Sequence, residues 1–192
     1  MLNVFVGPNT GLLTTTGQVN TSVGFNSMVA NVSGVANVAV GFGALQDNTT
    51  GQLNTAIGAL ALVNNTTGSN NVAVGLTSLQ GNNGDQNTAI GCFALQNNNT
   101  GTNNTTVGFS SMESNMSGNN NTSIGAGSSF ANNIGNNNTA VGNSALSQNS
   151  TFGILGGNAN TAIGANALET AVYTDSNIAI GSDSFRGPSS PG

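Results

Sequence analysis

Asn54-Thr55-Ala56-Ile57-Gly58 is one copy of a five-residue phrase, Asn-x-small-(Ile/Val)-Gly, that the chain states eleven times. The copies begin at Asn3, Asn20, Asn37, Asn54, Asn71, Asn87, Asn104, Asn121, Asn138, Asn160 and Asn177. Successive copies stand 17 residues apart, except for a step of 16 after Asn71 and one of 22 after Asn138. A short fixed period of this kind dictates architecture before any single residue does, because one unit is too small to enclose a core.

Composition narrows the classes. The chain has 192 residues with 28 glycines, 35 asparagines, no lysine, no histidine and no tryptophan. Only 4% is charged, against roughly a quarter in ordinary soluble domains. So much Gly, Asn, Ser and Thr suggests disorder until the aliphatics are seen to fall on a strict beat, which disordered chains lack. The formal charge of -5 comes from Asp47, Asp85, Glu113, Glu169, Asp175 and Asp183 against Arg186, and this argues against nucleic-acid binding, which needs a basic footprint. No apolar run approaches the roughly 18 residues of a membrane span, and no secretory signal is visible at the start. The one cysteine, Cys92, excludes an internal disulfide framework and reads as a small apolar filler in a slot that holds Phe or Ala elsewhere.

Counting each repeat from its Asn, position 4 is Val6, Val23, Val40, Ile57, Val74, Ile90, Val107, Ile124, Val141, Ile163 and Ile180. All are β-branched, which favours extended chain. Alternate residues of a strand face opposite ways, so positions 2 and 4 share one face. Positions 1, 3 and 5 (Asn, mostly Ala or Ser, and Gly) share the other. Position 8 is small, and position 9 is large and apolar: Met28, Leu45, Leu62, Leu79, Leu95, Met112, Leu146, Leu168 and Phe185. In the eighth repeat the apolar residue slips one place, to Phe130. The Ala-Leu pairs have too few residues between punctuations for a helix. Gly near position 15, set among Asn and Thr, marks a sharp corner of positive φ. Each repeat therefore reads strand, corner, short second strand, polar corner.

Such units must stack on copies of themselves. The predicted fold is all-β, a parallel β-solenoid or β-roll of about eleven 17-residue coils over residues 1–186, with a longer loop at 150–157 and a flexible tail or linker at 187–192. Stacking places equivalent residues above one another at about 4.8 Å. The eleven position-1 asparagines can then form a ladder of side-chain amide bonds, and files of like charge would repel, which accounts for the scarcity of charge. The first repeat has no capping element before it, which predicts a preceding domain or an abutting molecule.

Catalytic chemistry finds no support. There is no His to act as a base beside a Ser or Cys nucleophile. The six carboxylates are scattered, with Asp175 and Asp183 about half a coil apart, and read as solvated corners rather than a catalytic couple. No EF-hand or calcium-repeat loop occurs, and Gly41-Phe42-Gly43 belongs to the beat, with no helix after it to hold a phosphate. No metal or cofactor is expected.

The phrase Asn-x-Ala-Ile-Gly followed by a small residue and Leu resembles the head repeat of trimeric autotransporter adhesins, and similar repeats occur in tail-fibre and surface-fibre proteins of phages and large viruses. The resemblance spans about residues 3 to 185. It implies a left-handed parallel β-roll, three chains of which associate around one axis. The family repeat is shorter, and the extra residues here fall in the Asn/Thr/Gly corner. The residues themselves point the same way: two large apolar columns are more than a thin coil can enclose, and a continuous exposed stripe marks an association surface. Positions 3 and 9 are expected to fill the roll and position 4 to line a shared axis; the alternative is a monomer with both columns inside.

The expected function is a non-enzymatic structural fibre or adhesin module at a virion or cell surface, a rigid homotrimeric rod that presents or forms a host-attachment surface. Its possible partners are a glycan or receptor and end-to-end stacked copies or fibre domains, with no nucleic acid and no membrane insertion. The alternatives are a self-assembling extracellular filament subunit and a monomeric ice-binding solenoid. The latter rests on Thr88, Thr105, Thr122, Thr139 and Thr161 at position 2, and a buried position 4 would count against it.

Overall fold

A computed structural model describes residues 2–148, 157–169 and 175–185. The loop 150–156 and the tail 187–192 lie outside the described residues. Eleven three-residue strands form one sheet: β1 (Val4–Val6), β2 (Thr21–Val23), β3 (Val38–Val40), β4 (Thr55–Ile57), β5 (Val72–Val74), β6 (Thr88–Ile90), β7 (Thr105–Val107), β8 (Thr122–Ile124), β9 (Thr139–Val141), β10 (Thr161–Ile163) and β11 (Ile178–Ile180). They pair in sequence order and all in parallel. The chain is a β-solenoid, and among the described residues it has no helix.

Register follows the beat without slippage. Thr55 lies beside Val72, Ala56 beside Ala73 and Ile57 beside Val74. The altered spacings leave it intact, since Val72 pairs with Thr88 across the 16-residue step and Thr139 with Thr161 across the 22-residue step. The strand's alternation decides what is inside. Position 3 (for example Ala39, Ala56, Ala73 and Ala89) is fully buried, whereas position 4 faces outward, with Ile57 41% and Ile124 41% exposed. A single chain therefore does not enclose both apolar columns. From the other wall of the coil, Met28, Leu45, Leu62, Leu79, Leu95, Met112, Leu146 and Leu168 fill the interior at 0% exposure. Phe185 does not join them and is largely exposed, because it lies in the last described coil with no described coil stacked beyond it.

Among the described residues, the second strand expected in each coil is absent. Position 9 sits in the left-handed region throughout, with Leu45 at φ 52 and Leu62 at φ 52, as does position 7, with Leu60 at φ 58 and Phe93 at φ 59. A run of turns results, yet its amides still bond from coil to coil, Leu45 N–H to the Ala61 carbonyl and Asp47 N–H to that of Val63, both at 2.9 Å. Left-handed geometry costs a leucine about 1–2 kcal/mol, which full burial of the side chain, at about 1.5–3 kcal/mol, offsets.

Two coils break the interior pattern in opposite ways. In the first, Phe5 stands at position 3 and Gly11 at position 9, so the large and small residues exchange walls; a side chain at Gly11 would strike the Phe5 ring, which packs on the core from its own strand. In the eighth, the apolar residue does not slip inward. Phe130 is 40% exposed and Ser129 takes the buried slot, φ 46, its hydroxyl without a hydrogen-bond partner. The apolar core divides there, one cluster ending at Met112 and the next beginning at Ala140. Ser111, Ser123 and Ser128 fill part of the gap by bonding to one another at 2.7–3.1 Å.

The position-5 glycines keep their identity for a different reason. They have φ between about 118 and 139, and a Cβ on Gly58 would lie 2.5 Å from the carbonyl oxygen of Gly75 in the next coil. Gly58→Ala is expected to cost about 3 kcal/mol or more, since strained φ and backbone collision combine; chemical denaturation followed by circular dichroism measures it. Ser129→Leu should raise stability by about 1–3 kcal/mol by removing a buried unpaired hydroxyl and restoring the apolar file, read as an upward shift of the thermal midpoint.

Candidate functional site: asparagine ladders and the outward sheet face

The polar interior is built from asparagine amides. At position 1, the main-chain N–H of each Asn donates to Oδ1 of the equivalent Asn one coil earlier, in every step from Asn20 onto Asn3 to Asn177 onto Asn160, at 2.8–3.0 Å. The side chain thus replaces a carbonyl where the strand begins. The expected amide-to-amide bond is also made at five of the ten steps, as from Asn104 Nδ2 to Asn87 Oδ1 at 3.1 Å and from Asn177 Nδ2 to Asn160 Oδ1 at 2.9 Å, but every acceptor in the ladder serves a backbone donor as well. The Nδ2 groups also cross the coil. Asn54 Nδ2 donates to the Gly68 carbonyl at 2.8 Å and Asn87 Nδ2 to that of Gly101 at 2.8 Å.

A second ladder, not anticipated from the sequence, runs at position 12 through Asn31, Asn48, Asn65, Asn82, Asn98, Asn115 and Asn132, all fully buried. Here amide bonds to amide: Asn48 to Asn31, Asn65 to Asn48 and Asn115 to Asn98, at 2.7–2.9 Å. Each of these Nδ2 groups also donates to the same glycine carbonyl that the position-1 Asn reaches, as Asn65 does to Gly68 at 3.0 Å. The signal is present in the sequence, an Asn at the same offset in eight consecutive repeats from Asn31 to Asn149, but it sits inside an Asn-rich stretch that resembles corner composition.

The glycine near position 15 is explained by this clamp. Its φ is not in the left-handed region; rather, a Cβ on Gly51 would strike Asn48 Oδ1 and the Gly68 carbonyl. The sharp turn of positive φ falls at position 17, at Leu53, Asn70 and Asn103. A third, outer file at position 16 runs in the reverse sense. Thr102 N–H donates to Asn119 Oδ1, Asn119 N–H to Asn136 Oδ1 and Asn136 N–H to Asn158 Oδ1, at 2.8–2.9 Å. Asp85 and Asp175 occupy the same file and accept from Ser69 N–H and Asn158 N–H. Two of the six carboxylates are therefore rungs. Among the described residues no group of three His, Cys, Asp or Glu side chains could hold a metal ion.

Outside, the sheet presents two parallel files. Position 4 runs from Val6 (55% exposed) through Val23, Val40, Ile57, Val74, Ile90, Val107, Ile124, Val141 and Ile163 to Ile180. Position 2 lies beside it, with Thr88, Thr105, Thr122, Thr139 and Thr161 in register on consecutive strands. Position 6 adds exposed aromatics. Phe25 and Phe42 stack with centroids 5.8 Å apart, and Phe109 meets Phe93 edge-on at 5.6 Å. Cys92 belongs to this outer column, the slot that holds Phe or Ala in other coils, and is exposed. Comparison with protein families, with curated proteins and with solved structures finds no match for this chain.

Asn65→Leu leaves the Gly68 carbonyl and the amides of Asn48 and Asn82 short of partners within the dry interior. A loss of about 2–4 kcal/mol is expected, whereas Asn64→Ala on the exposed side of the same coil should stay within about 0.5 kcal/mol. Urea denaturation of the two variants side by side checks the contrast.

Proposed function

We propose that the chain is a non-enzymatic structural module, a rigid rod of left-handed coils, three copies of which associate through their outward sheet faces to form part of a fibre or adhesin on a virion or cell surface. The observation that carries this reading is the uninterrupted apolar file at position 4, exposed on nine of the eleven strands and half-buried at Val74 and Val141. An apolar stripe that long is an association surface by default, and closed cyclic symmetry covers it without runaway assembly. None of the six carboxylates lies at positions 2, 4 or 6, so an acidic chain can bring copies together there without stacking like charges. The outer corners, rich in exposed Asn such as Asn70, Asn103, Asn120 and Asn137, remain free to meet a glycan or receptor.

One observation favours a second reading. The threonine file shares its face with a position 4 that is not buried within the chain, so a single chain offers a regular array of hydroxyl and methyl groups suited to ordering water as ice. Both readings use one surface, and the oligomeric state separates them. Sedimentation equilibrium should give a mass of three chains. Ile57→Glu combined with Ile124→Glu should reduce it to one chain while leaving the circular dichroism spectrum unchanged. A wild-type monomer that shows thermal hysteresis would favour ice binding and refute the trimer.

A further inference from the structure

A periodic interface has a weakness that the repeat itself creates. If copies meet through files of Val and Ile that recur once per coil, a copy displaced by one coil, about 4.8 Å, meets nearly the same file again. The position-4 column contains only Val and Ile from Val6 to Ile180, so it holds copies together without fixing their relative height. The stripe is also narrow. Three strand residues at about 3.3 Å, over ten coil spacings of about 4.8 Å, give on the order of 500 Å² per chain, below the roughly 800 Å² per partner of a standard stable interface.

Both deficits are met at one end of the rod. Position 17, two residues before the outward face, holds Val19 (56% exposed) and Leu53 (58% exposed) in the first and third coils. From the fourth to the eighth coil the same column is polar, with Asn70, Gln86, Asn103, Asn120 and Asn137, and it ends in the small Ala159 and Ser176. Position 6, two residues after position 4, holds the stacked, half-exposed Phe25 and Phe42 in the second and third coils and Ala59 in the fourth; Leu76 and Phe109 recur farther along, on strands preceded by the polar Asn70 and Asn103. Large apolar side chains therefore flank both sides of the face together only in the first three coils, and that pairing does not repeat. Displacement by one coil would carry Phe42 to the level of Ala59 and Leu53 to the level of Asn70.

We propose that Val19, Phe25, Phe42 and Leu53 form a registration surface whose occupant is another copy of this chain, setting the copies at equal height. The proposal rests on the reading that copies meet through the sheet face. A second copy is the occupant that matches the file in pitch, lacks charge along it and gains enough area only when the flanks are included.

The test is a pulsed dipolar distance measurement with one spin label per chain, placed by Asn97→Cys in a Cys92→Ala background; position 97 is exposed, and Ala already stands in the Cys92 column at Ala59 and Ala126. Copies at equal height around a threefold axis give a single label-to-label distance. The triple variant Phe25→Asn, Phe42→Asn, Leu53→Asn uses a residue that other coils carry in both columns, Asn143 and Asn70. It is expected to keep the fold and yield several distances from trimers offset by whole coils, or a weakened trimer. Several distances in the unaltered flank, which needs no variant, would overturn the proposal. So would a single distance persisting in an intact trimer of the triple variant. Absence of any dipolar coupling, with a one-chain mass, would instead overturn the trimer reading on which it stands.

Discussion

The fold depends on one bonded constraint: in each coil from the second to the eighth, a glycine carbonyl held by two asparagine amides. Asn54 and Asn65 both donate to Gly68, and Asn104 and Asn115 both donate to Gly118. The first Asn of each pair begins the strand and the second ends the run of turns, so the two bonds close the coil on itself. The closure then repeats along the rod, because each Asn also bonds to its counterpart above or below. Burying so many amides is tolerable only if every donor and acceptor is met. One residue type stacked on itself meets both, since an amide offers a donor and an acceptor at the same height.

The clamp also explains where the period can change. Between Asn82 and Gly84 one residue is lost, yet Gly84 still receives Asn71 Nδ2 at 2.9 Å and Asn82 Nδ2 at 2.8 Å. In the 22-residue repeat, Asn138 Nδ2 reaches Gly157 at 2.8 Å, so the glycine's place is refilled after the inserted residues. Length varies just before the clamp glycine and not within the strand, where a single added residue would flip every later side chain across the sheet.

Much of this was legible in the sequence because stacking turns period into position. The sheet and its in-register pairs follow from a beat of 17 residues, and the inward Ala file opposite the outward Val/Ile file follows from strand alternation. What escaped was set by contacts between coils rather than by local preference. Nothing local predicts Leu45 or Leu62 at positive φ; the residue accepts that geometry because only there does its side chain enter the core. The glycine at Gly51 looked like a turn residue and is instead a residue with no room for Cβ. The exchange of Phe5 and Gly11 is invisible unless both walls are known to face each other.

The eleven coils allow an internal comparison that separates scaffold from surface. Positions 1 and 5 do not vary at all, and position 9 is Leu or Met in eight coils, although every change there would be felt by two neighbouring coils. Position 6, just outside, is Pro, Phe, Ala, Leu, Cys, Asn or Ser, and position 17 ranges from Val and Leu to Asn and Gln. A side chain at these outer sites touches few others, so its identity is free of the stacking rule. Most of what distinguishes one height of the rod from another is therefore carried by the outer columns, because the interior keeps one pattern at every level except the first coil, with Phe5 and Gly11, and the eighth, with Ser129.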